Sequence, residues 1–218
     1  MQTVTANGCR VMPCVSMNTP ISMAKGKNPI AGVVLCGGQS SRMGTDKSTL
    51  LFNKLPLLEH MRRLLQTTGI NRVISAGSNK NHTAASEVIA DIIPGRGPLS
   101  GIHAVLTQLQ ETFTHVLIVP VDMPLLTREL LQQLINTESD TEACYFAGFV
   151  MPLKLAITSN IKNTLTARLD QDDNKKSSLK SFLSELRTRT LPLAESMKPY
   201  FDNSNTPEDW QRMTRSIP

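Results

Sequence analysis

From Ile30 onward, short runs of apolar residues alternate with longer stretches in which apolar positions recur at helical spacing. Ile30 to Leu35 is such a run, followed by an amphipathic stretch at Leu57 to Thr67 and a second run at Arg72 to Ala76. Further strands are expected at Val88 to Ile92, His115 to Val119, Ala143 to Phe146, Leu155 to Ile157 and Thr190 to Leu193. Helices are expected at Ser100 to Gln110, Arg128 to Asn136, Asn160 to Arg168 and Leu179 to Leu186, with a short one after Pro207. Short apolar strands separated by helices mark βαβ units and a parallel sheet. No internal repeat is visible.

Upstream of Ile30 neither period holds. Residues 1–29 are rich in Thr, Asn, Pro and Met, and read as an extension preceding one domain at 30–218. Methionines at 1, 12, 17 and 23 also allow translation to begin at Met23, a few residues before the first strand. A chain of 218 residues suits one α/β domain with a buried sheet. The polar stretch Asp170 to Ser178 reads as a solvated loop, with Lys175 and Lys176 available to an anion.

Composition narrows the function classes. The net charge of +5 suits an anionic partner, but aromatic residues make up only 4%, poor material for base stacking, so nucleic acid is not expected. Phosphate-bearing small molecules fit the charge as well. Cys9, Cys14, Cys36 and Cys144 form no CxxC pair and no zinc spacing, so they read as reduced and structural. No run of about 18 apolar residues implies a membrane span, and no apolar stretch near the start makes a secretory signal. A cytoplasmic enzyme is the expectation.

The chemistry gathers where the first run ends, in Leu35-Cys36-Gly37-Gly38-Gln39-Ser40-Ser41-Arg42-Met43-Gly44-Thr45-Asp46-Lys47. Adjacent glycines after a buried strand let the backbone approach a ligand closely, so that successive amides cradle phosphate oxygens. A lone Gly-Gly pair would be no more than a tight βα turn. Arg42 adds a planar fork and Lys47 a point charge, and two cations flanking a glycine turn suit a triphosphate. The pattern is neither GxxxxGK[ST] nor GxGxxG.

A carboxylate follows the strand at His115 to Val119, in Pro120-Val121-Asp122-Met123-Pro124. Open α/β sheets bind ligands at that end, and a hard oxygen there suits Mg²⁺, which takes one or two carboxylates plus phosphates and water. The other reading, Asp122 as a helix cap, is weakened because Thr127 stands ready for that role. Asp91 comes at the end of another apolar run, before Pro94-Gly95-Arg96-Gly97-Pro98-Leu99-Ser100-Gly101-Ile102, and reads either as a ligand contact or as a solvent-facing loop acid. The amides of Ser100 or Gly101 would lie at a helix start. In Asn203-Ser204-Asn205-Thr206-Pro207-Glu208, Thr206 caps a helix with Pro207 in its first turn, leaving Asn203 and Asn205 for hydrogen bonding.

The segment Leu35 to Lys47 resembles the LAGGxSxRMGxDK signature of the molybdenum cofactor guanylyltransferases, the MobA family. The similarity extends over most of Ile30 to Trp210. It implies an α/β fold, a Rossmann-like three-layer sandwich with a mostly parallel sheet of the nucleotidyltransferase type. It also implies GMP transfer from GTP to Mo-molybdopterin with Mg²⁺ as cofactor. Catalysis would fall to Arg42, Lys47 and Asp122, with the metal on Asp122. Nucleotide contacts carry over to Leu35, Cys36, Gly37, Gly38, Lys47, Ser75, Asp91, Gly101 and Asp122, and acceptor contacts to Asn203 and Asn205. Transient contact with molybdoenzyme chaperones or other cofactor-biosynthesis proteins is a further implication.

Three positions depart from the family pattern. Ser75 stands where Asn is usual at the end of the second strand. Lys54-Leu55-Pro56 replaces a Gly-Lys-Pro turn, with Lys54 as the replacement cation, and Met151-Pro152-Leu153 replaces His-Pro-Leu. Gly37 favours the guanylyl over the cytidylyl relatives, which usually carry Ala-Gly there. The alternatives are a cytidylyl or sugar-phosphate transferase, and a non-catalytic carrier of the cofactor.

Overall fold

The computed structural model describes residues 29–36, 50–77, 87–109, 112–138, 140–171, 178–204, 209–211 and 213. Strand β1 (Ile30–Leu35) is buried along nearly its whole length, as a central parallel strand covered on both faces must be. It pairs in parallel with β4 (Val73–Ala76) on one side and β6 (His115–Pro120) on the other. A hairpin of β2 (Leu51–Phe52) and β3 (Leu55–Pro56) leads into α1 (Leu57–Thr67), and β5 (Val88–Ile89) adds to β4 in parallel.

The sheet has seven strands in the order β5-β4-β1-β6-β8-β7-β9, completed by β7 (Ala143–Phe146), β8 (Leu153–Ala156) and β9 (Thr188–Leu191). It is mostly parallel, but β8 runs antiparallel to both β6 and β7. Strand direction leaves no mark in an apolar pattern, so β8 was legible as a strand and not as a reversal. The edge strand β9 exposes Arg189 and Thr190, which discourages pairing with another chain.

Helices cover both faces, making three layers. Helix α1 packs with α3 (Arg128–Asn136) on one face, and α2 (Pro98–Gln108) with α4 (Ser159–Leu169) on the other. Helix α1 buries Leu57, Leu58, Met61 and Leu65, each worth about 1.5–3 kcal/mol of transfer free energy. Helix α2 is buried from Leu99 to Leu106, a core helix between the sheet and α4. Short α5 (Leu179–Leu183) follows α4, and a 3₁₀ helix spans Glu195–Phe201.

The elements expected at Ile30 to Leu35, Leu57 to Thr67, Arg128 to Asn136 and Ala143 to Phe146 are found with those bounds. Elsewhere boundaries move. The strand expected to Ile92 stops at Ile89, α2 begins two residues early at Pro98, and α5 ends at Leu183 rather than Leu186. The β2–β3 hairpin and the 3₁₀ helix were not anticipated. The hairpin turns on Asn53 and Lys54 at φ 50° and 65°, a geometry usually signalled by Asn-Gly. Lys54 is exposed at that tip. The 3₁₀ helix contains Pro199, which reads as a breaker.

Candidate active site

The chain leaves β1 toward β4 and β5 on one side, then crosses to β6 on the other, so the direction of winding reverses between β1 and β6. Ligands of open α/β sheets bind outside the carboxyl ends of the strands at such a reversal. The loops abut there: the Val121 amide donates to Leu35 O at 3.0 Å, and the Cys36 amide to Ala76 O at 2.7 Å. Leu35 and Cys36 are buried, and the Cys36 thiol turns inward toward Val34 O. Gly37, Gly38, Arg42 and Lys47 lie outside the described residues, as does Asn205.

Asp122 follows β6 in a loop that Pro120 and Pro124 deprive of two amide donors. Carbonyls accepting from elsewhere fix this loop. The Ser204 amide reaches Asp122 O at 2.9 Å, with its hydroxyl at 3.3 Å, and His60 on α1 meets Pro124 O at 2.9 Å. The Thr127 hydroxyl accepts from the Leu130 amide and caps α3, which leaves Asp122 out of that role. Asp122 is half-buried, Ser204 fully buried, and Asn203 exposed beside it.

His60 is held below the usual imidazole range by burial, against a smaller opposing pull from the Pro124 carbonyl. A carbonyl only accepts, so Nε2 carries the proton and Nδ1 is bare in the neutral ring.

A second group of residues forms a small open cleft lined by Leu35, Ala76, Gly77, Asp91, Gly97, Pro98 and Gly101. Asp91 lies just past β5, and its Oδ1 is buried with no hydrogen-bond partner. Burial raises its carboxyl above the ordinary 3.8. Gly97, at φ 64°, turns the chain into α2. Gly101 lets that helix sit against the strand ends: a Cβ there would lie 3.1 Å from Leu35 Cδ2 and 3.6 Å from Asp91 Oδ1. The Ser100 amide is turned back to Gly97 O and its hydroxyl donates to Ile93 O. Both serve the turn, so of the two amides expected at the helix start, Ser100 and Gly101, the first is engaged within the turn itself.

Ser75 was expected at the nucleotide, but it does not line this cleft. It is fully buried on the α1 side, where Arg62 donates to its hydroxyl at 3.3 Å and to Val73 O at 3.0 Å. Side chains alternate along a strand, so the residue presented to the cleft is its neighbour Ala76. No feature of the local sequence tells which of the two faces α2. Met151 is buried just before β8.

Among the described residues no three His, Cys, Asp or Glu side chains converge as a metal cage. A hard cation held by one carboxylate and completed by phosphate and water needs no such cage, so the donor set fits an ion that arrives with its substrate. No helix among the described residues is long and apolar enough to cross a membrane.

Sheet order, acid loop and cleft set a ligand site at the carboxyl ends of the strands, and the family match makes the chain an α/β nucleotidyltransferase. The MobA-like NTP transferase domain matches residues 32–189, and the chain belongs to that family. It is 34% identical over 192 residues to the molybdenum cofactor guanylyltransferase of Xanthomonas euvesicatoria, covering 88% of this chain and 98% of that one. Among solved structures, it resembles molybdopterin-guanine dinucleotide biosynthesis protein A from Archaeoglobus fulgidus with TM-score 0.66 and 22% identity, over 85% of this chain and 97% of that one. It also resembles a manganese complex of a Mycobacterium tuberculosis protein with TM-score 0.64 and 18% identity, over 87% and 100% of the two chains. At those identities the structures speak for the fold. Divalent-metal use is typical of nucleotidyltransferases.

Proposed function

We propose that this enzyme transfers GMP from GTP to the terminal phosphate of Mo-molybdopterin, forming molybdopterin guanine dinucleotide and releasing pyrophosphate. The observation that carries guanine is the unpartnered, buried Oδ1 of Asp91 in the cleft. A carboxylate accepts two donors side by side, which the N1–H and 2-amino edge of guanine supplies and the edge of cytosine does not.

The backbone from Leu35 through Gly38, with Arg42 and Lys47, grips the triphosphate. This part of the reading rests on the glycine turn and its flanking cations. Gly101 admits the nucleotide beside Asp91. Mg²⁺ on Asp122, when bound, neutralises charge on the phosphates. Asn203 and Asn205 orient the acceptor. An acceptor oxygen attacks the α-phosphorus of GTP and the bond to pyrophosphate breaks. A phosphate nucleophile is already ionised near neutral pH, so no general base is needed and positioning with electrostatics carries the rate.

The test is pyrophosphate release from each NTP in the presence of Mo-molybdopterin and Mg²⁺, with the product identified by mass. Release with GTP and formation of the guanine dinucleotide are expected. Equal turnover with CTP would overturn the assignment of the base, and binding without release would mark a carrier.

A further inference from the structure

Besides the Val121 amide on Leu35 O at its start, the loop bearing Asp122 is tied to two further parts of the fold remote in sequence. One tie comes from Ser204, 82 residues on. The other comes from His60, 64 residues before Pro124, through a 2.9 Å contact with that residue's carbonyl oxygen. The imidazole is itself held. Phe52 packs edge-on against it at 4.8 Å between centroids, and Trp210 packs edge-on against Phe52 at 6.0 Å. Phe52 belongs to the hairpin that follows the glycine loop, and Trp210 follows the Asn203 segment. One side chain therefore stands where the hairpin, helix α1 and the acid loop meet. An aliphatic residue would fill that space equally well, but only a donor meets the carbonyl.

We propose that His60 is a positioning residue for the metal-binding acid: by donating Nε2–H to Pro124 O it fixes the loop that aims Asp122. This rests on the reading of Asp122 as the metal ligand. Pro124 lies two residues beyond Asp122, and Leu126 already returns its amide to Met123 O at 3.3 Å. With Asp122 O, Met123 O and Pro124 O all engaged, the carboxylate is carried on a backbone with little freedom to drift. Releasing Pro124 O frees the turn just beyond Asp122, and small displacements of a positioned group cost large factors in rate.

The full chain is compared with His60→Phe, which keeps a ring against Phe52 and lacks the donor, and with His60→Gln, whose side-chain amide replaces it. Mn²⁺ binding in the presence of a non-hydrolysable GTP analogue is followed by electron paramagnetic resonance, and kcat by pyrophosphate release. His60→Phe is expected to weaken Mn²⁺ binding by about tenfold and to lower kcat by a similar factor, with His60→Gln recovering most of both. If the phenyl ring prevents folding, His60→Met serves as the donorless variant. Wild-type Mn²⁺ affinity in a folded donorless variant overturns the proposal, as does a His60→Gln enzyme no better than the donorless one. Asp122→Asn separates the two levels: if it binds Mn²⁺ like wild type, the metal reading itself fails. If it loses Mn²⁺ while His60→Phe keeps it, only the role of His60 fails.

Discussion

The main-chain amide of Ser204 donates to the carbonyl oxygen of Asp122 at 2.9 Å, closing the C-terminal segment onto the loop after β6. Asn203 is thereby held at the rim of the site without being buried. Its side chain is available to a substrate at little cost to the fold.

Asn203→Ala is accordingly expected to leave stability within about 0.5 kcal/mol of wild type, as exposed substitutions do. It should raise the KM for the molybdopterin acceptor by about three- to tenfold, the loss of one net hydrogen bond. The KM for GTP should stay put. Steady-state kinetics with each substrate varied in turn will check this, and a rise confined to GTP would move Asn203 to the nucleotide.

Asp91 gives a pH-dependent expectation. Burial raises its carboxyl above the ordinary 3.8, so between that value and the raised one the folded state binds more protons than the unfolded. Stability therefore falls as pH rises through that window and then levels off. Asp91→Asn removes the ionisation and should raise the melting temperature at pH 7. The gain should vanish at pH values below the ordinary carboxyl range. The same variant should bind GTP more weakly at pH 7, since the acceptor pair for guanine is gone. Thermal melts across pH with and without GTP test both, and an unchanged melt at pH 7 would mean that the carboxylate is not penalised by its setting.

Much of this arrangement was legible in the sequence because it rests on periodicity and on adjacency along the chain. Leu57, Met61 and Leu65 repeat at helical spacing, and Pro120-Val121-Asp122 follows an apolar run directly. What was not legible depends on partners distant in sequence. Ser75 and Ala76 are equally plausible as cleft residues until the face covered by α2 is known. Nothing near His60 points to Pro124, nor near Ser204 to Asp122. Lys54 hid the β2–β3 turn by standing where glycine is usual.

Lys154 belongs to the same category of residues explained only by tertiary contacts. It lies on β8 opposite Leu117, is 8% exposed, and donates to Ile135 O at 3.1 Å and Thr137 O at 2.8 Å. These are carbonyls at the C-terminal end of α3, which a cation satisfies and whose dipole it complements. Lys154→Met keeps the aliphatic stem and removes the charge. The expected loss is about 2–3 kcal/mol, or roughly 5–10 °C in melting temperature for a chain of this size. The site lies at the other end of α3, so kcat per folded molecule should be unaffected. Calorimetry alongside kinetics will show whether the two readouts separate in this way.

Gly101 separates packing from binding in the opposite sense. A methyl group there meets Leu35 Cδ2 at 3.1 Å, a contact that must relax by a few tenths of an ångström. Leu35 lines the open cleft, so its flexible end has somewhere to move. The strain is offset by the gain of up to about 1 kcal/mol from replacing glycine with alanine inside a helix. Gly101→Ala should therefore change stability by no more than about 1 kcal/mol in either direction. The displaced Leu35 and the new methyl, 3.6 Å from Asp91 Oδ1, together narrow the space beside the carboxylate. A methyl group's worth of misfit in a binding pocket costs about tenfold or more, so the Kd for GTP should rise by at least that factor. Equilibrium binding of GTP together with a melt decides the matter: wild-type affinity in a folded Gly101→Ala protein would show that the base lies elsewhere than beside Asp91.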